Sequence, residues 1–309
     1  MRLLGAVIVV FAATVSAAEE RTPEWLFDHG HIGESRAVSQ ARLAANPRDA
    51  VALAWMARTY TRAGDTKTAL TLAERAVAAD PDYAGGHLSI AEALGGEARK
   101  ASVLRRLPIA RRIRKALDTA VSLEPRNVAA LSGLMRFYLE APGVAGGSRE
   151  KADATAARIG AIDAARGFLA QAEIATDRGQ RDRVEALHLK AVAANGNNAH
   201  ARAALAALYV NDRAKQREAE AHAKALRALD AALVEPYQVL AAVYARGRRW
   251  NELDAVLAES DRHHPANLAA LYAAAQVLRQ SGADPARLAR YARRYHAQPP
   301  EIGAPKTIG

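Results

Sequence analysis

Residues 50–81 decide the fold, and they read AVALAWMARTYTRAGDTKTALTLAERAVAADP. In the first half, apolar side chains recur at i, i+3, i+4 and i+7, the spacing that places residues on one face of a helix: Leu53, Met56, Ala57 and Tyr60. In the second half, small side chains form a facing stripe: Ala69, Ala73 and Ala76. Gly64 suits the left-handed conformation that ends a helix, and Pro81 stops the second helix. The segment predicts two helices in close contact.

This unit recurs along the chain. Pro47 and Pro81 end similar phrases 34 residues apart, and Pro125 and Pro265 lie 140 residues apart, which is four steps of 35. Half of the residues are apolar but only 5% are aromatic, and alanine is the best helix former. The composition therefore suits many helices that pack closely through small side chains.

The repeat resembles the tetratricopeptide repeat, whose W-x2-L-G-x2-Y pattern is Leu53-x2-Met56-Ala57-x2-Tyr60 in this sequence. The resemblance implies an all-α fold, a right-handed α-solenoid of helix–turn–helix repeats with an extended concave face for a partner. We predict a partial N-terminal helical unit over 19–48, about six repeats over 49–298, and a disordered tail over 299–309.

Two repeats are longer than the others. The interval from Pro81 to Pro125 is 44 residues, ten more than the standard spacing, which predicts an insertion near 95–112. In the next repeat, the turn between the helices is five residues too long and spans 141–147. Because consecutive repeats of a solenoid are adjacent in space, we expect the insertion and the widened turn to be neighbours.

The insertion is strongly basic, with no acidic residue from Ala98 to Leu117. Its cations are Arg99, Lys100, Arg105, Arg106, Arg111, Arg112, Arg114 and Lys115. Apolar residues in the same stretch are expected to share the opposite side: Leu104, Leu107, Ile109, Ile113 and Leu117. One interpretation is the solvated face of a lengthened helix. The other is a docking stripe for an anionic surface or partner, formed by Arg105, Arg106, Arg111 and Arg112.

The widened turn lies within YLEAPGVAGGSREKA, residues 138–152, whose glycines raise the question of a phosphate-binding loop. A Walker A loop needs G-x4-G-K-[ST] after a strand, and neither the spacing nor a predicted strand is present. We interpret the segment as an inter-helix turn in which Ser148 caps the second helix. A second interpretation is a carboxylate or sulfate site at a helix N-terminus, formed by Gly146, Gly147, Ser148, Arg149 and Lys151.

The stretch from about 98 to 162 also resembles a family of exported bacterial tetratricopeptide-repeat proteins. The resemblance rests on Lys100-Ala101-Ser102, on the helix from Lys115 to Pro125, and on the F-Y-L-x-A-P-G-x2-G-G-S-x2-K-A loop from Phe137 to Ala152. This family has no assigned enzymatic activity, so the resemblance implies an exported solenoid and names no reaction.

The N-terminus predicts export. Arg2 precedes an uncharged run from Leu3 to Val15, which is too short for a bilayer that needs about 20 apolar residues. Small residues follow, which is the layout of a secretory signal peptide over residues 1–18. Because the chain has no cysteine, we expect neither a lipid anchor nor disulfides, and no later stretch predicts a transmembrane segment. The prediction is a soluble periplasmic protein of a Gram-negative bacterium.

The first helices of such repeats are expected to line the concave groove. Their side chains outside the packing frame are Arg58, Arg62, Glu92, Arg136, Arg166, Glu173, Arg246, Tyr272, Gln276 and Arg279. From this set, we predict that a protein or peptide partner contacts Arg58, Arg62, Arg136 and Tyr272. The clustered Lys/Asn/Arg set with which peptide-binding relatives hold a C-terminal carboxylate is not found in the sequence.

No sequence motif indicates an enzyme, a cofactor or a metal site. Nucleophile-elbow and kinase patterns are missing, and His29-x-His31 and His263-His264 lack the ligand spacing of a zinc site. The whole sequence has a net charge of +10, and once exported the basic chain would meet anionic lipid or polymer rather than nucleic acid. We expect a non-enzymatic scaffold or adaptor; the alternative is a ligand-binding accessory protein for a solute uptake system or an anionic envelope polymer.

Overall fold

The structure, a computed structural model, describes residues 21–298 and 301–308, so the predicted signal peptide lies outside the described residues. Within the described ranges the fold is all-α, with two short 3-10 turns and no strand. The helices are α1 (Pro23–Asp28), α2 (Ile32–Ala45), α3 (Ala50–Arg62), α4 (Thr66–Ala79), α5 (Ala84–Lys100), α6 (Val103–Leu123), α7 (Val128–Glu140), α8 (Arg149–Ile162), α9 (Ala164–Asp177), α10 (Arg181–Ala194), α11 (Ala199–Tyr209), α12 (Gln216–Leu229), α13 (Glu235–Arg246), α14 (Trp250–His263), α15 (Ala269–Ser281) and α16 (Pro285–Ala297).

Each helix packs against the next along the chain, and the predicted solenoid of helix pairs is confirmed. The pair α1–α2 falls in the region predicted as a partial N-terminal unit. The region 49–298, predicted to hold about six repeats, contains the seven pairs from α3 to α16. No helix in the described part of the chain is both long and apolar enough to cross a membrane.

Short polar residues fix where the first helices of many repeats begin. Asp49, Asn127, Asp163 and Asn198 each precede a first helix, and each side chain accepts a hydrogen bond from the N–H group three residues later. Such caps satisfy a backbone donor that has no partner within the helix. At the other end of α3, Gly64 has a φ of 80°, which confirms the predicted left-handed helix end.

The alanine stripes of the 50–81 segment form the contact between its two helices. Ala57, Ala69, Ala73 and Ala76 have no exposed surface, and Ala57, Ala73 and Ala76 pack in one cluster with Leu53. Small side chains bury little apolar area each, but they let the two helix backbones approach closely, so that many atoms make van der Waals contact. The predicted packing frame of the repeat is therefore confirmed.

The ten extra residues of the third pair lengthen both of its helices. The helices α5 and α6 have 17 and 21 residues, whereas α3 and α4 have 13 and 14. Ile109 and Leu117 are buried, as expected for the apolar side of α6. Leu104, which the sequence places on the same side, is 90% exposed, because it lies in the first turn of α6, at the tip of the lengthened hairpin.

The solenoid curves until its first pair meets its last pairs. Three hydrogen bonds join distant parts of the chain at this place: His29 Nε2 with Asp230 Oδ2 (2.8 Å), Asn267 Nδ2 to Gly30 O (3.0 Å) and Gly33 N to Glu301 Oε1 (2.9 Å). We call this contact the closing junction; it joins residues 29–34 to residues 230–234, 264–267 and Glu301. The described part of the predicted disordered tail also contacts α16, since Tyr295 Oη donates to Pro305 O.

Two glycines bring α8 and α9 together. A Cβ atom on Gly167 would lie 2.3 Å from the Cα atom of Gly160, a distance at which the backbones must shift. We predict that Gly167→Ala lowers the free energy of unfolding by about 1–3 kcal/mol, the usual cost of overpacking. Urea denaturation followed by circular dichroism measures the change.

The matched control is Gly95→Ala in α5, where an added Cβ meets no atom within 4 Å. Because alanine has the higher helix propensity, this variant should gain about 0.5–1 kcal/mol. Equal effects of the two substitutions would contradict the close approach of α8 and α9.

Candidate functional site

Charged side chains of alternating sign follow one another along the first helices. Arg58 on α3 donates through Nε to Glu92 Oε2 on α5 at 2.9 Å. Two pairs further along, Arg136 on α7 makes two hydrogen bonds with Glu173 on α9, at 2.5 and 3.2 Å. Because each ion pair joins the first helices of adjacent repeats, these side chains share one face of the solenoid.

The two ion pairs differ in exposure. The side chains of Arg136 and Glu173 are 58% and 37% exposed, whereas those of Arg58 and Glu92 are 21% and 31% exposed. Hydrogen bonding to Glu173 raises the pKa of the Arg136 guanidinium. Exposed ion pairs contribute little to stability, typically below about 1 kcal/mol, because water competes for both groups. The Arg136–Glu173 pair is therefore available for exchange with charges on a partner.

Arg58 lies on an aromatic surface at the N-terminal end of this face. Its guanidinium carbon is 4.2 Å from the ring centroid of Trp55 and 5.0 Å from that of Phe27. The two rings are themselves 5.5 Å apart. Such cation–π contacts hold a guanidinium in place, so Arg58 is positioned by α1 and α3 as well as by Glu92.

The remaining groove residues predicted from the sequence are engaged in different ways. Arg246 donates to Gln216 Oε1 at 2.8 Å, and burial lowers its pKa. The ring of Tyr272 packs 5.5 Å from that of Tyr295, and Arg279 donates to Gln276 Oε1. Arg62 lies next to Gly303 in the C-terminal tail: a Cβ atom added to Gly303 would be 2.6 Å from the Arg62 carbonyl oxygen. Arg166 is half-buried at the start of α9.

The basic insertion and the widened turn are neighbours, as the sequence predicts. The guanidinium of Arg114 on α6 lies next to Gly146: a Cβ atom added to Gly146 would be 2.9 Å from Arg114 Nη1. The same guanidinium is 5.0 Å from the ring centroid of Tyr138, and Lys151 Nζ is 5.8 Å from it. The ring of Tyr138 therefore contacts one cation from the basic insertion and one from α8, the helix that follows the widened turn.

The widened turn is held by its own backbone. The N–H groups of Gly146, Gly147 and Ser148 donate to Gly143 O, Pro142 O and Tyr138 O, respectively. The Ser148 hydroxyl accepts from Lys151 N, which confirms the predicted helix cap. Because these three N–H groups already have acceptors, a partner at this turn would meet the exposed side chains of Arg149 and Lys151.

The tip of the α5–α6 hairpin is both basic and apolar at its surface. Arg105 and Arg106 follow the exposed Leu104, and Arg111 and Arg112 lie one to two turns further along. Arg112 forms an exposed ion pair with Glu74 at 2.8 Å. A shallow open depression of about 480 Å³ continues along α6 between Arg111 and Leu123. In the widened turn, Val144 is 80% exposed, which adds a second uncovered apolar side chain next to α6.

The structure also assembles a histidine cluster that sequence reasoning missed. The two short motifs His29-x-His31 and His263-His264 meet at the closing junction, where the His31 and His264 ring centroids are 4.9 Å apart. Both motifs were visible in the sequence, but nothing in their spacing relates one to the other. Across the described ranges, no group of three histidine or acidic side chains is arranged to hold a metal ion.

The helix pairs, their caps and their alanine frame define a tetratricopeptide-repeat solenoid. The chain is similar to TTC0263, a thermophilic tetratricopeptide-repeat protein of Thermus thermophilus, with 25% identity, a TM-score of 0.51, and coverage of 58% of this chain and 91% of that one. It is also similar to yeast Tom70, with 13% identity, a TM-score of 0.56, and coverage of 86% and 54%. No protein-family model matches the sequence, and no curated protein matches it significantly.

Proposed function

We propose that this protein is a non-enzymatic scaffold that holds a protein or peptide segment in its concave groove. The observation that carries the proposal is the row of alternating charges on the first helices, above all the exposed pair Arg136–Glu173. A partner segment with its own acidic and basic side chains can replace these intramolecular pairs at little cost. The tetratricopeptide-repeat fold supports the proposal, because solenoids present an extended concave surface for binding.

The proposed place of action is the periplasm. The layout of residues 1–18 supports export, and so does the resemblance of residues 98–162 to exported bacterial proteins. In that compartment the basic surface would meet envelope components and exported proteins, and the absence of cysteine leaves the fold independent of disulfide formation.

Photo-crosslinking in intact cells tests the scaffold proposal. A photoreactive residue replaces Arg136 in the groove, and in a matched strain it replaces Arg158, an exposed arginine on the neighbouring second helix α8. We expect discrete protein adducts from position 136 and none from position 158, because only the first helix lines the groove.

Identical adducts from both positions, or none from either, would contradict a groove-bound partner. Fractionation of the same cells tests export, since the account predicts a processed chain in the periplasmic fraction. Finding only the full-length precursor in the cytoplasm would contradict that part of the proposal.

A second candidate function is docking on an anionic envelope component through the insertion. The exposed apolar residues Leu104 and Val144 favour it, because they lie beside the cations of α6 and of the widened turn. A surface that combines uncovered apolar side chains with arginines suits the boundary between anionic head groups and acyl chains. This candidate does not use the groove, so both activities can belong to one protein.

A charge-reversal pair tests the second candidate. The triple variant Arg105→Glu, Arg106→Glu and Arg111→Glu should lose at least about tenfold in affinity for phosphatidylglycerol vesicles, since each removed contact of this kind is worth about 1 kcal/mol. The matched variant Arg158→Glu, Arg181→Glu and Arg217→Glu has the same net charge and should bind normally. Equal loss in both variants would mean that the total charge, and not the hairpin, drives binding.

A further inference from the structure

The closing junction brings together parts of the chain that are far apart in sequence. The turn between α1 and α2 reaches the connections that follow α12 and α14, 201 residues away in the case of the His29–Asp230 hydrogen bond. The fit is tight, since a Cβ atom on Gly30 would lie 2.8 Å from Val234 Cγ2. The junction therefore holds the first helix pair against the later repeats.

Two buried imidazoles lie at the centre of this junction. His31 and His264 are 3% and 1% exposed, and their ring planes are inclined by 36°. One nitrogen of each ring has a partner: His31 Nδ1 contacts Glu34 Oε1 at 3.1 Å, and His264 Nε2 contacts Leu233 O at 3.3 Å. The other nitrogens, His31 Nε2 and His264 Nδ1, are buried without a hydrogen-bond partner. Protonating both rings would place two positive charges side by side, away from water.

Other titratable and charged groups surround the pair. On the side of α1 and α2, Glu34 contacts both His31 and Arg21. His29 lies on the same side, and its Nε2 is hydrogen-bonded to Asp230. On the side of the later repeats, His263 and Tyr237 lie next to His264, with ring centroids 6.2 and 5.4 Å away. The carboxylate of Glu34 favours protonation of His31, but neither Glu34 nor Asp230 has a hydrogen bond to His264.

The pKa values of the two imidazoles follow this arrangement. Burial, reinforced by the neighbouring His31, lowers the pKa of His264 to about 4. Burial also lowers the pKa of His31, although Glu34 acts in the opposite direction. When the junction opens, both rings regain water and a pKa near about 6.5. The closed form therefore binds fewer protons than the open form, so closure is fully stable above about pH 6.5 and weakens as the pH falls toward 4.

We propose that His31 and His264 form an acid-sensitive latch, which holds the first helix pair against the later repeats at neutral pH and releases it in mildly acidic medium. Release separates the first pair from the later repeats without unfolding it, since α1 and α2 bury Leu26 and Ile32 and are joined by the hydrogen bond from Ser35 Oγ to Pro23 O. The proposal concerns the closure of the solenoid alone and does not depend on what the groove binds.

One group at the junction has the opposite effect. Glu301, whose carboxylate accepts from Gly33 N, has its pKa raised by burial, so its protonation favours the closed form. The variant Glu301→Gln imitates the protonated carboxyl and removes this contribution, and the latch predicts that its solenoid still opens in acid.

Distance measurements between spin labels test the latch. The chain has no cysteine, so Gln40→Cys on α2 and Ala258→Cys on α14 provide two unique labels on exposed positions across the junction. We expect one narrow distance at pH 7.5 and a second, longer distance that appears near pH 5. For His264 alone, the ratio of open to closed form should rise about thirtyfold over this interval. A control pair within the later repeats, Ala207→Cys and Ala258→Cys, should keep its distance.

Two aromatic substitutions separate the latch from a general effect of acid. His264→Phe keeps a ring against Tyr237 but cannot take up a proton, and it should reduce the acid-induced opening at least about tenfold. The matched variant His263→Phe changes the exposed neighbour and should open like the parent chain. If His264→Phe does not fold, His31→Phe serves as the same test from the other side of the junction. Unchanged distances at pH 5, or equal opening in the His263 and His264 variants, would overturn the proposal.

Discussion

The fold depends on alanines packed where the two helices of a pair meet. Ala57, Ala69, Ala73 and Ala76 have no accessible surface, and equivalent alanines recur in later repeats, such as Ala219 and Ala223. Each sets the distance between two helix axes, and that distance fixes the tilt from one repeat to the next. Because each repeat is oriented by the repeats next to it in the chain, small tilts add up until the first pair reaches the later ones.

The same frame explains why the groove is charged. Alanine and leucine occupy the faces of the first helices that pack against other helices, which leaves one face without a packing partner. Successive first helices place four charged residues on that face: Arg58, Glu92, Arg136 and Glu173. Opposite charges on adjacent repeats satisfy one another in the free protein. Since such pairs are weak when exposed, the surface is stable without a partner and adaptable to one. The cations of the α5–α6 hairpin have few acidic neighbours, and this suits a different class of ligand.

Much of this architecture could be predicted from residues 50–81 alone, because helix period, turn and packing frame are local properties. The contact between the basic insertion and the widened turn was also predictable, since adjacent repeats must touch, and Arg114 does lie beside Gly146. The exposure of Leu104 was missed because the hydrophobic pattern does not reveal where a lengthened helix passes beyond its neighbours.

The closing junction could not be predicted from the sequence. The approach of His29 to Asp230 depends on curvature summed over six repeats, and no local pattern encodes that sum. The hydrogen bonds of the widened turn were hidden for a related reason, because three glycines in a row of small residues permit many backbone paths. Only the folded turn reveals that its N–H groups face inward to carbonyl groups.

The central claim is that the solenoid closes on itself, and a double-mutant cycle on His29 and Asp230 tests it most directly. Free energies of unfolding are measured at pH 7.5 for the parent chain, His29→Ala, Asp230→Ala and the double variant. A closed solenoid predicts a coupling energy of about 1–3 kcal/mol, the range for a partly buried hydrogen bond to a charged group. Additive effects, with a coupling below about 0.3 kcal/mol, would contradict closure.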